Sequence, residues 1–245
     1  MVNWKEVDLT KFDVPSMDLV KKVQIEHQSM TVGVQERLYV QTAKPPPGVK
    51  PTWRTVLLLH GAAFTSETWV SSIPTMATLA AAGHKVIAID LPGYGKSGRW
   101  SGGDRGAFLG AVIDTLSPDV APVLVSPSMS GGWAVPLLAD SPEKVAGWVP
   151  VAPVDTSQGR AFFPSLTLPT MIVYGERDTG LGAGSAKDLA LIPTSTRPQV
   201  PPTMPLLMPS QNHQCLQVLP GAKHPAYLDQ PDLWHKLLLN FLTFI

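Results

Sequence analysis

The chain has 245 residues, 44% of them hydrophobic, and a formal net charge of zero at pH 7. A chain of this length favours one large domain whose core needs neither metal nor disulfide, and its single cysteine, Cys215, excludes an internal disulfide. The balanced charge does not indicate a nucleic-acid partner or an anionic membrane surface. Because we find no basic-then-apolar leader and no long apolar run, we expect no membrane association and a location in the cytoplasm or also the nucleus.

Apolar patterns predict alternating strands and helices after a polar, loosely held lead-in at residues 1–16. Partial alternation at residues 19–26 and 30–41 predicts an antiparallel hairpin at one edge of a sheet. Pro74 is expected to delay or kink the first long helix, and Gly83 to end it. Continuous apolar runs predict buried strands at 55–59, 85–89, 123–125, 147–151, 169–174 and 215–218. Helical periodicity predicts helices near 67–82, 108–116, 133–138, 183–191 and 233–242.

Residues 17–245 are predicted to form a single domain with a proline-rich inserted loop near 193–213. Six prolines between 193 and 209 are too many for a helix or a central strand. The PxxP spelling at 198–201 is short enough to arise by chance. Strands that alternate with helices predict an α/β fold, with a mainly parallel sheet covered on both faces. Functional groups are then expected at the carboxyl ends of the strands.

The segment SPSMS at 126–130 lies where one strand should turn sharply into a helix. Such a turn in its usual G-x-S-x-G spelling exposes a nucleophilic serine above the sheet. Here serines replace both glycines, so an ordinary polar loop is the alternative interpretation. The central residue, Ser128, is the predicted nucleophile, and the backbone N–H groups of Met129 and Ala62 are the predicted oxyanion donors.

A serine nucleophile needs a base, and in this chain order the acid and then the histidine follow the serine. Three histidines come after Ser128. His235 lies on the polar side of the closing helix and His213 at the end of the inserted loop, whereas His224 follows a strand and a glycine turn. His224 is therefore the predicted base, and the earlier His60 is predicted to be structural.

Two aspartates close predicted strands and are candidates for the acid. Asp178 ends the strand at 169–174, and Asp155 ends the strand before it. The position of Asp178 at the strand end before the histidine favours it. Asp155 stays an alternative at this point.

Other motifs carry no separate chemistry. GYGKS at 93–97 lacks the glycine that a phosphate-binding loop requires five positions before Gly95, where Asp90 stands. No metal-binding spacing is found, so we expect no metal and no required cofactor. The stretch from Ala152 to Pro169 is short for a helical cap, which predicts an open, shallow site for small acyl groups. Phe162 and Phe163 either border that site or belong to the core.

Several motifs together resemble the α/β-hydrolases: LLLHG at 57–61, SETW at 66–69, AIDLPGYGKS at 88–97, SPSMSG at 126–131, VPVAP at 149–153, IVYGERD at 172–178 and GAKHPAYLDQP at 221–231. More narrowly, the chain resembles the soluble branch of the α/β-hydrolase-domain-containing protein 14 subfamily. The resemblance implies Ser128 as nucleophile, Asp178 as acid and His224 as base, which resolves the choice of acid. It also implies ester hydrolysis on small acyl groups, removal of acetyl from lysine with transfer to coenzyme A, and contact with a basal transcription-factor subunit.

Three functions are therefore candidates for this chain. The first is a serine hydrolase that forms an acyl-Ser128 intermediate and resolves it with water. The second passes the acyl group to coenzyme A, and the third is a non-catalytic interaction protein on the same fold. Catalysis is favoured because three separate strand ends supply the required groups in the required order.

Overall fold

A computed structural model describes residues 7–33, 35–193 and 215–245. Among these residues, eight strands form one sheet in the order β1-β2-β4-β3-β5-β6-β7-β8. The β1–β2 and β2–β4 pairs are antiparallel, and the other pairs are parallel. The strands are β1 Ile25–Val32, β2 Gln35–Ala43, β3 Thr55–Leu58, β4 Lys85–Ile89, β5 Val123–Pro127, β6 Gly147–Val151, β7 Met171–Gly175 and β8 Cys215–Leu219.

The helices connect these strands and cover both faces of the sheet, as the predicted α/β fold requires. None of those that the structure describes is long and apolar enough to cross a lipid bilayer. They are α1 Met17–Val20, α2 Thr75–Ala81, α3 Arg105–Leu116, α4 Gly131–Asp140, α5 Leu181–Leu189, α6 Ala226–Asp229 and α7 Pro231–Phe244.

The central strands β3 to β7 are largely apolar and buried because each one contributes side chains to two cores. In β3, Val56 and Leu58 belong to the core on the side of α2 and α7, while Leu57 belongs to the opposite core beneath α3 and α4. Each fully buried aliphatic side chain contributes about 1.5–3 kcal/mol relative to exposure. The uninterrupted run TVLLL is therefore explained by burial on both faces.

The start of α2 confirms the predicted effect of Pro74. A short 3₁₀ helix at Ser66–Trp69 comes first, and the α-helix begins only at Thr75. Gly83 follows the helix with φ near +100°, a backbone conformation that favours glycine. A side chain there would also collide with the Lys50 carbonyl, so glycine is required on two counts.

Two predictions about the first part of the chain are corrected. The hairpin is present at the sheet edge, but its first strand begins at Ile25 rather than at residue 19, because residues 17–20 form a helical turn. The lead-in is not loosely held over its described residues, 7–16. Leu9 is buried, and the Phe12 backbone exchanges two hydrogen bonds with the side chain of Asn240, both 2.9 Å.

The proline-rich loop predicted near 193–213 lies almost wholly outside the described residues, and so does His213. The division into a lead-in and a single domain at 17–245 stays a prediction.

Candidate active site

The turn after β5 gives Ser128 the backbone of a nucleophile elbow. Strand β5 ends at Pro127, a single 3₁₀ turn spans Ser128–Ser130, and α4 begins at Gly131. Ser128 has φ near +50°, which a non-glycine residue adopts at a cost and which is concentrated at functional sites. Its side chain is thereby presented at the carboxyl edge of the sheet, as predicted.

The elbow contains no glycine on either side of Ser128, and its packing explains why serine is accepted. The buried Ser126 hydroxyl accepts a hydrogen bond of 2.8 Å from the indole N–H of Trp148. The buried Ser130 hydroxyl donates to the Pro127 carbonyl at 2.7 Å. Both hydroxyls are thus paired in the protein interior, which avoids the cost of burying a polar group alone.

The close approach that the motif usually assigns to those glycines occurs one residue later. A Cβ added at Gly131 would collide with the carbonyl oxygen of Val154 and lie 2.9 Å from its backbone nitrogen. The Val154 N–H also donates to the Ser128 carbonyl at 2.9 Å. The loop after β6 therefore packs directly against the elbow, and glycine is needed at position 131.

Ser128, His224 and Asp178 meet at the carboxyl edge of the sheet. The Ser128 Oγ and the His224 Nε2 are 2.8 Å apart, and the His224 Nδ1 lies 2.7 Å from the Asp178 Oδ2. Since a carboxylate only accepts, Nδ1 carries the proton in this arrangement, and Nε2 accepts from the serine hydroxyl. The Asp178 side chain is 8% exposed, whereas that of His224 is 41% exposed.

The loops that carry Asp178 and His224 are joined by backbone hydrogen bonds. Glu176 N–H donates to the Leu219 carbonyl at 3.0 Å, and Arg177 N–H donates to the Ala222 carbonyl at 2.8 Å. Gly175 allows this contact, because a side chain there would collide with the carbonyls of the histidine loop. These contacts fix the position of the loop that carries Asp178 relative to the loop that carries His224.

The other acid candidate, Asp155, does not contact His224. It is exposed, has φ near +63°, and precedes the 3₁₀ helix at Thr156–Gly159. Of the two aspartates, the structure brings only Asp178 to the histidine.

The loop after β3 lies beside the elbow. A Cβ added at Gly61 would lie 3.5 Å from the Ser128 Cβ. No described residue accepts a hydrogen bond from the Ala62 N–H, and Ala62 lines the same cavity as Ser128. Ala62 therefore lies beside the elbow with an unpaired backbone N–H, and its role as an oxyanion donor stays a prediction. Met129 directly follows the serine in the elbow.

His60 has the structural role predicted for it. The Leu91 N–H donates to its Nε2 at 2.9 Å, so the proton lies on Nδ1, which donates to the Gly61 carbonyl at 2.9 Å. Burial lowers the pKa of His60, which favours this neutral form. The ring ties the loop after β3 to the loop after β4.

His235 differs from its prediction. It is not on the polar side of α7 but is buried, with its Nε2 2.9 Å from the Thr75 Oγ1. Burial lowers its pKa to about 4. The periodicity of α7 placed it wrongly because α2 packs over that part of the helix and covers the ring.

Asp90 organises the neighbouring loops, a role that sequence reasoning missed. Its Oδ1 accepts from the backbone N–H and the hydroxyl of Ser66 at 2.8 and 2.7 Å. Its Oδ2 accepts from the Lys96 N–H at 2.7 Å. Gly95 has φ near +50° and lies so close to Asp90 that a side chain would not fit. GYGKS is therefore a tight turn around a buried carboxylate, as its failure to match a phosphate-binding loop suggested.

A cavity of about 180 Å³ adjoins Ser128 and His224. Its wall is mainly apolar, and the residues that line it are Gly61, Ala62, Ala63, Phe64, Pro127, Ser128, Val151, His224, Pro225 and Tyr227. Phe162 and Phe163 are not among them. Phe163 is fully buried against Trp148, with ring centroids 6.0 Å apart, so the core interpretation of this pair holds. Phe64 and Tyr227 border the cavity instead, and sequence reasoning named neither.

Between β6 and β7 the chain forms two short 3₁₀ helices, Thr156–Gly159 and Phe163–Ser165. This agrees with the expectation that the stretch is too short for a helical cap.

Over residues 7–33, 35–193 and 215–245, no group of three or more His, Cys, Asp or Glu side chains is arranged to hold a metal ion.

A family model described as "Alpha/beta hydrolase family" matches residues 56–189. This stretch contains β3 to α5 and both the elbow and Asp178. The chain belongs to the α/β-hydrolase family. The predicted fold and the prediction of an enzyme from a hydrolase family are thereby confirmed.

Individual α/β-hydrolases place the chain more narrowly. It is 38% identical over 226 residues to ABHD14B from Pongo abelii, which is provisionally named a protein-lysine deacylase; the match covers 89% of this chain and 96% of that one. It is 39% identical over 196 residues to protein ABHD14A from Danio rerio, covering 77% and 64% of the two chains. The predicted resemblance to the ABHD14 subfamily is thus confirmed.

A solved α/β-hydrolase structure agrees in overall shape. The predicted CIB-like hydrolase from Thermoplasma acidophilum superposes with a TM-score of 0.73 at 21% identity, covering 91% of this chain and all of that one. This likeness concerns the fold alone.

Proposed function

We propose that the chain is a serine hydrolase that removes small acyl groups, with Ser128 as nucleophile, His224 as base and Asp178 as the residue that orients the base. The observation that carries this proposal is the continuous path of hydrogen bonds from the Ser128 Oγ through both nitrogens of His224 to the Asp178 Oδ2, at 2.8 and 2.7 Å.

In the first half-reaction, the Ser128 oxygen attacks the carbonyl carbon of the acyl group while its proton passes to the His224 Nε2. The negative charge that develops on the carbonyl oxygen is stabilised by the N–H groups of Ala62 and Met129. The tetrahedral intermediate collapses, the bond to the leaving group breaks, and His224 donates its proton to that group. The products of this step are an acyl-Ser128 ester and a free alcohol or amine.

In the second half-reaction, His224 takes a proton from water, and the resulting hydroxide equivalent attacks the acyl-serine carbonyl. The Ser128 oxygen leaves and recovers its proton from His224, and the free acid departs. Asp178 stays ionised and stabilises the imidazolium in both steps. Its near-complete burial strengthens that interaction, because screening by water is weak there.

The substrate class follows from the cavity and from one relative. A mainly apolar cavity of about 180 Å³ suits a short acyl chain rather than a fatty acyl chain. The half-exposed His224 ring leaves the leaving-group side open to a larger molecule. Because ABHD14B is named for deacylation of protein lysine, we propose an acylated lysine side chain as a natural form of the substrate. Coenzyme A as acyl acceptor, a transcription-factor partner, and the cytoplasm or nucleus as the place of action stay predictions.

The deciding experiment compares wild type with Ser128→Ala and with Ser101→Ala, an exposed serine outside the site. Each protein is given short-chain aryl esters and an acetyl-lysine peptide, with and without coenzyme A, and acetate and acetyl-coenzyme A are quantified. A fluorophosphonate probe should label wild type and Ser101→Ala on Ser128 only, and Ser128→Ala should be unlabelled. Turnover that survives Ser128→Ala, or a wild type that neither turns over nor is labelled, would reject the proposal.

A further inference from the structure

The cavity beside Ser128 contains a polar group that the acyl-transfer steps do not use, the phenol of Tyr227. Tyr227 lines the cavity and is only 2% exposed. None of the residues that the structure describes forms a hydrogen bond with its hydroxyl. Burial raises the pKa of this phenol, so it is a neutral group with one proton to donate at physiological pH.

The Tyr227 ring is held in place by other aromatic rings. The ring centroid of Trp69 lies 4.7 Å away, that of Trp234 6.0 Å, and that of Phe64 6.5 Å. These rings belong to different elements, so the position of Tyr227 is fixed by tertiary packing. The ring therefore keeps one position in the wall of the cavity.

Leaving a hydroxyl buried without a partner is unfavourable, and such a group in a native protein calls for an explanation. The rest of the cavity wall supplies none, because apart from Ser128 and His224 its side chains are apolar. No lysine or arginine lines it either, so an acyl chain ending in a carboxylate would be buried without a counter-ion. The arrangement suits a ligand that is apolar except for one neutral oxygen.

We propose that this cavity selects a short acyl chain bearing a neutral hydroxyl or oxo group, with the Tyr227 hydroxyl as its hydrogen-bonding partner and specificity determinant. The proposal rests on the proposed function, since it concerns the acyl group transferred to Ser128. The volume agrees with it: at about 30 Å³ for a water-sized group, the cavity holds about six heavy atoms. A 3-hydroxybutyryl group has that size.

The test uses 4-nitrophenyl butyrate and 4-nitrophenyl 3-hydroxybutyrate, each corrected for its spontaneous hydrolysis rate. Wild type is compared with Tyr227→Phe, which removes only the hydroxyl, and with Tyr174→Phe, the same change on β7 outside the cavity wall. We expect wild type and Tyr174→Phe to favour the hydroxy ester in kcat/KM by roughly 10- to 100-fold, as one hydrogen bond to a buried group supplies. Tyr227→Phe should reduce this ratio to about one.

The outcomes separate this inference from the function on which it rests. If wild type hydrolyses both esters without preference, or if Tyr227→Phe lowers both equally, the specificity role is rejected while the hydrolase proposal stands. If wild type hydrolyses neither ester, this inference is rejected. The hydrolase proposal fails with it only when the acetyl-lysine peptide is not turned over and the fluorophosphonate probe leaves Ser128 unlabelled. The wild-type preference needs no variant, so the inference is tested even if Tyr227→Phe folds poorly.

Discussion

The backbone N–H of Arg177 donates a hydrogen bond of 2.8 Å to the carbonyl of Ala222, and this contact joins the loop of the proposed acid to the loop of the proposed base. Each residue lies within two positions of a site residue, Asp178 or His224. The loops come from neighbouring parallel strands, β7 and β8. The geometry of the site is therefore built into the edge of the sheet rather than left to side-chain flexibility.

Asp178→Asn tests the orienting role of the acid. The amide keeps the size of the carboxylate but favours the wrong histidine tautomer and cannot stabilise an imidazolium. We expect kcat to fall by roughly 10⁴-fold with little change in folding, measured by ester hydrolysis alongside circular dichroism. Asp155→Asn is the matched control and should keep wild-type turnover. Equal losses in both variants would contradict the assignment.

Gly131→Ala tests the close approach behind the elbow. The added methyl would press against the backbone of Val154, so either α4 or the loop after β6 must move. Overpacking of this kind costs about 1–3 kcal/mol, and the displaced elbow should also lower turnover. Gly184→Ala, in α5 with open space around its Cα, should instead gain about 0.5–1 kcal/mol. Urea unfolding of both variants measures the contrast, and equal stability of the two would refute this account.

Ser126→Ala tests why the elbow tolerates serine in place of glycine. The change leaves the buried indole N–H of Trp148 unpaired, and we expect a loss of about 1–3 kcal/mol in the free energy of unfolding. A double-mutant cycle with Trp148→Phe isolates the pair, because the second change removes the orphaned donor. If the two losses simply add, the hydrogen bond contributes nothing measurable.

The buried histidines predict how stability depends on pH. Burial lowers the pKa of His84 and of His235 to about 4, below the ordinary value of about 6.5 for an unfolded chain. Between these values the unfolded state binds more protons. The free energy of unfolding is therefore at its full value above pH 6.5 and decreases as the pH falls toward 4. Each histidine accounts for a decrease of up to about 3 kcal/mol.

Urea unfolding at several pH values between 7.5 and 4.5 checks this dependence. His235→Gln, whose amide does not titrate, should show a shallower fall in the free energy of unfolding than wild type. His27→Gln, the same change at an exposed position on β1, is the matched control for the substitution. An identical slope in wild type and His235→Gln would show that the buried ring does not titrate as described.

The residue pattern by itself determined the order of strands and helices, because runs such as TVLLL and KVIAI can be satisfied only by burial on both faces of a sheet. It also determined which serine lies at the strand-to-helix turn, since that turn is local. Gly83 was expected to end its helix, whereas the requirement for glycine at position 131 follows only from the packing of the loop after β6.

Only the tertiary structure decided which groups meet. Asp155 and Asp178 both end strands. Strand-end position and the family resemblance favoured Asp178, but its contact with His224 depends on the pairing of the two loops. His235 is buried because α2 covers it, which no period within α7 reveals. The cavity joins Phe64 to Tyr227 across more than half of the chain. Such contacts depend on long-range packing, and local sequence carries no record of it.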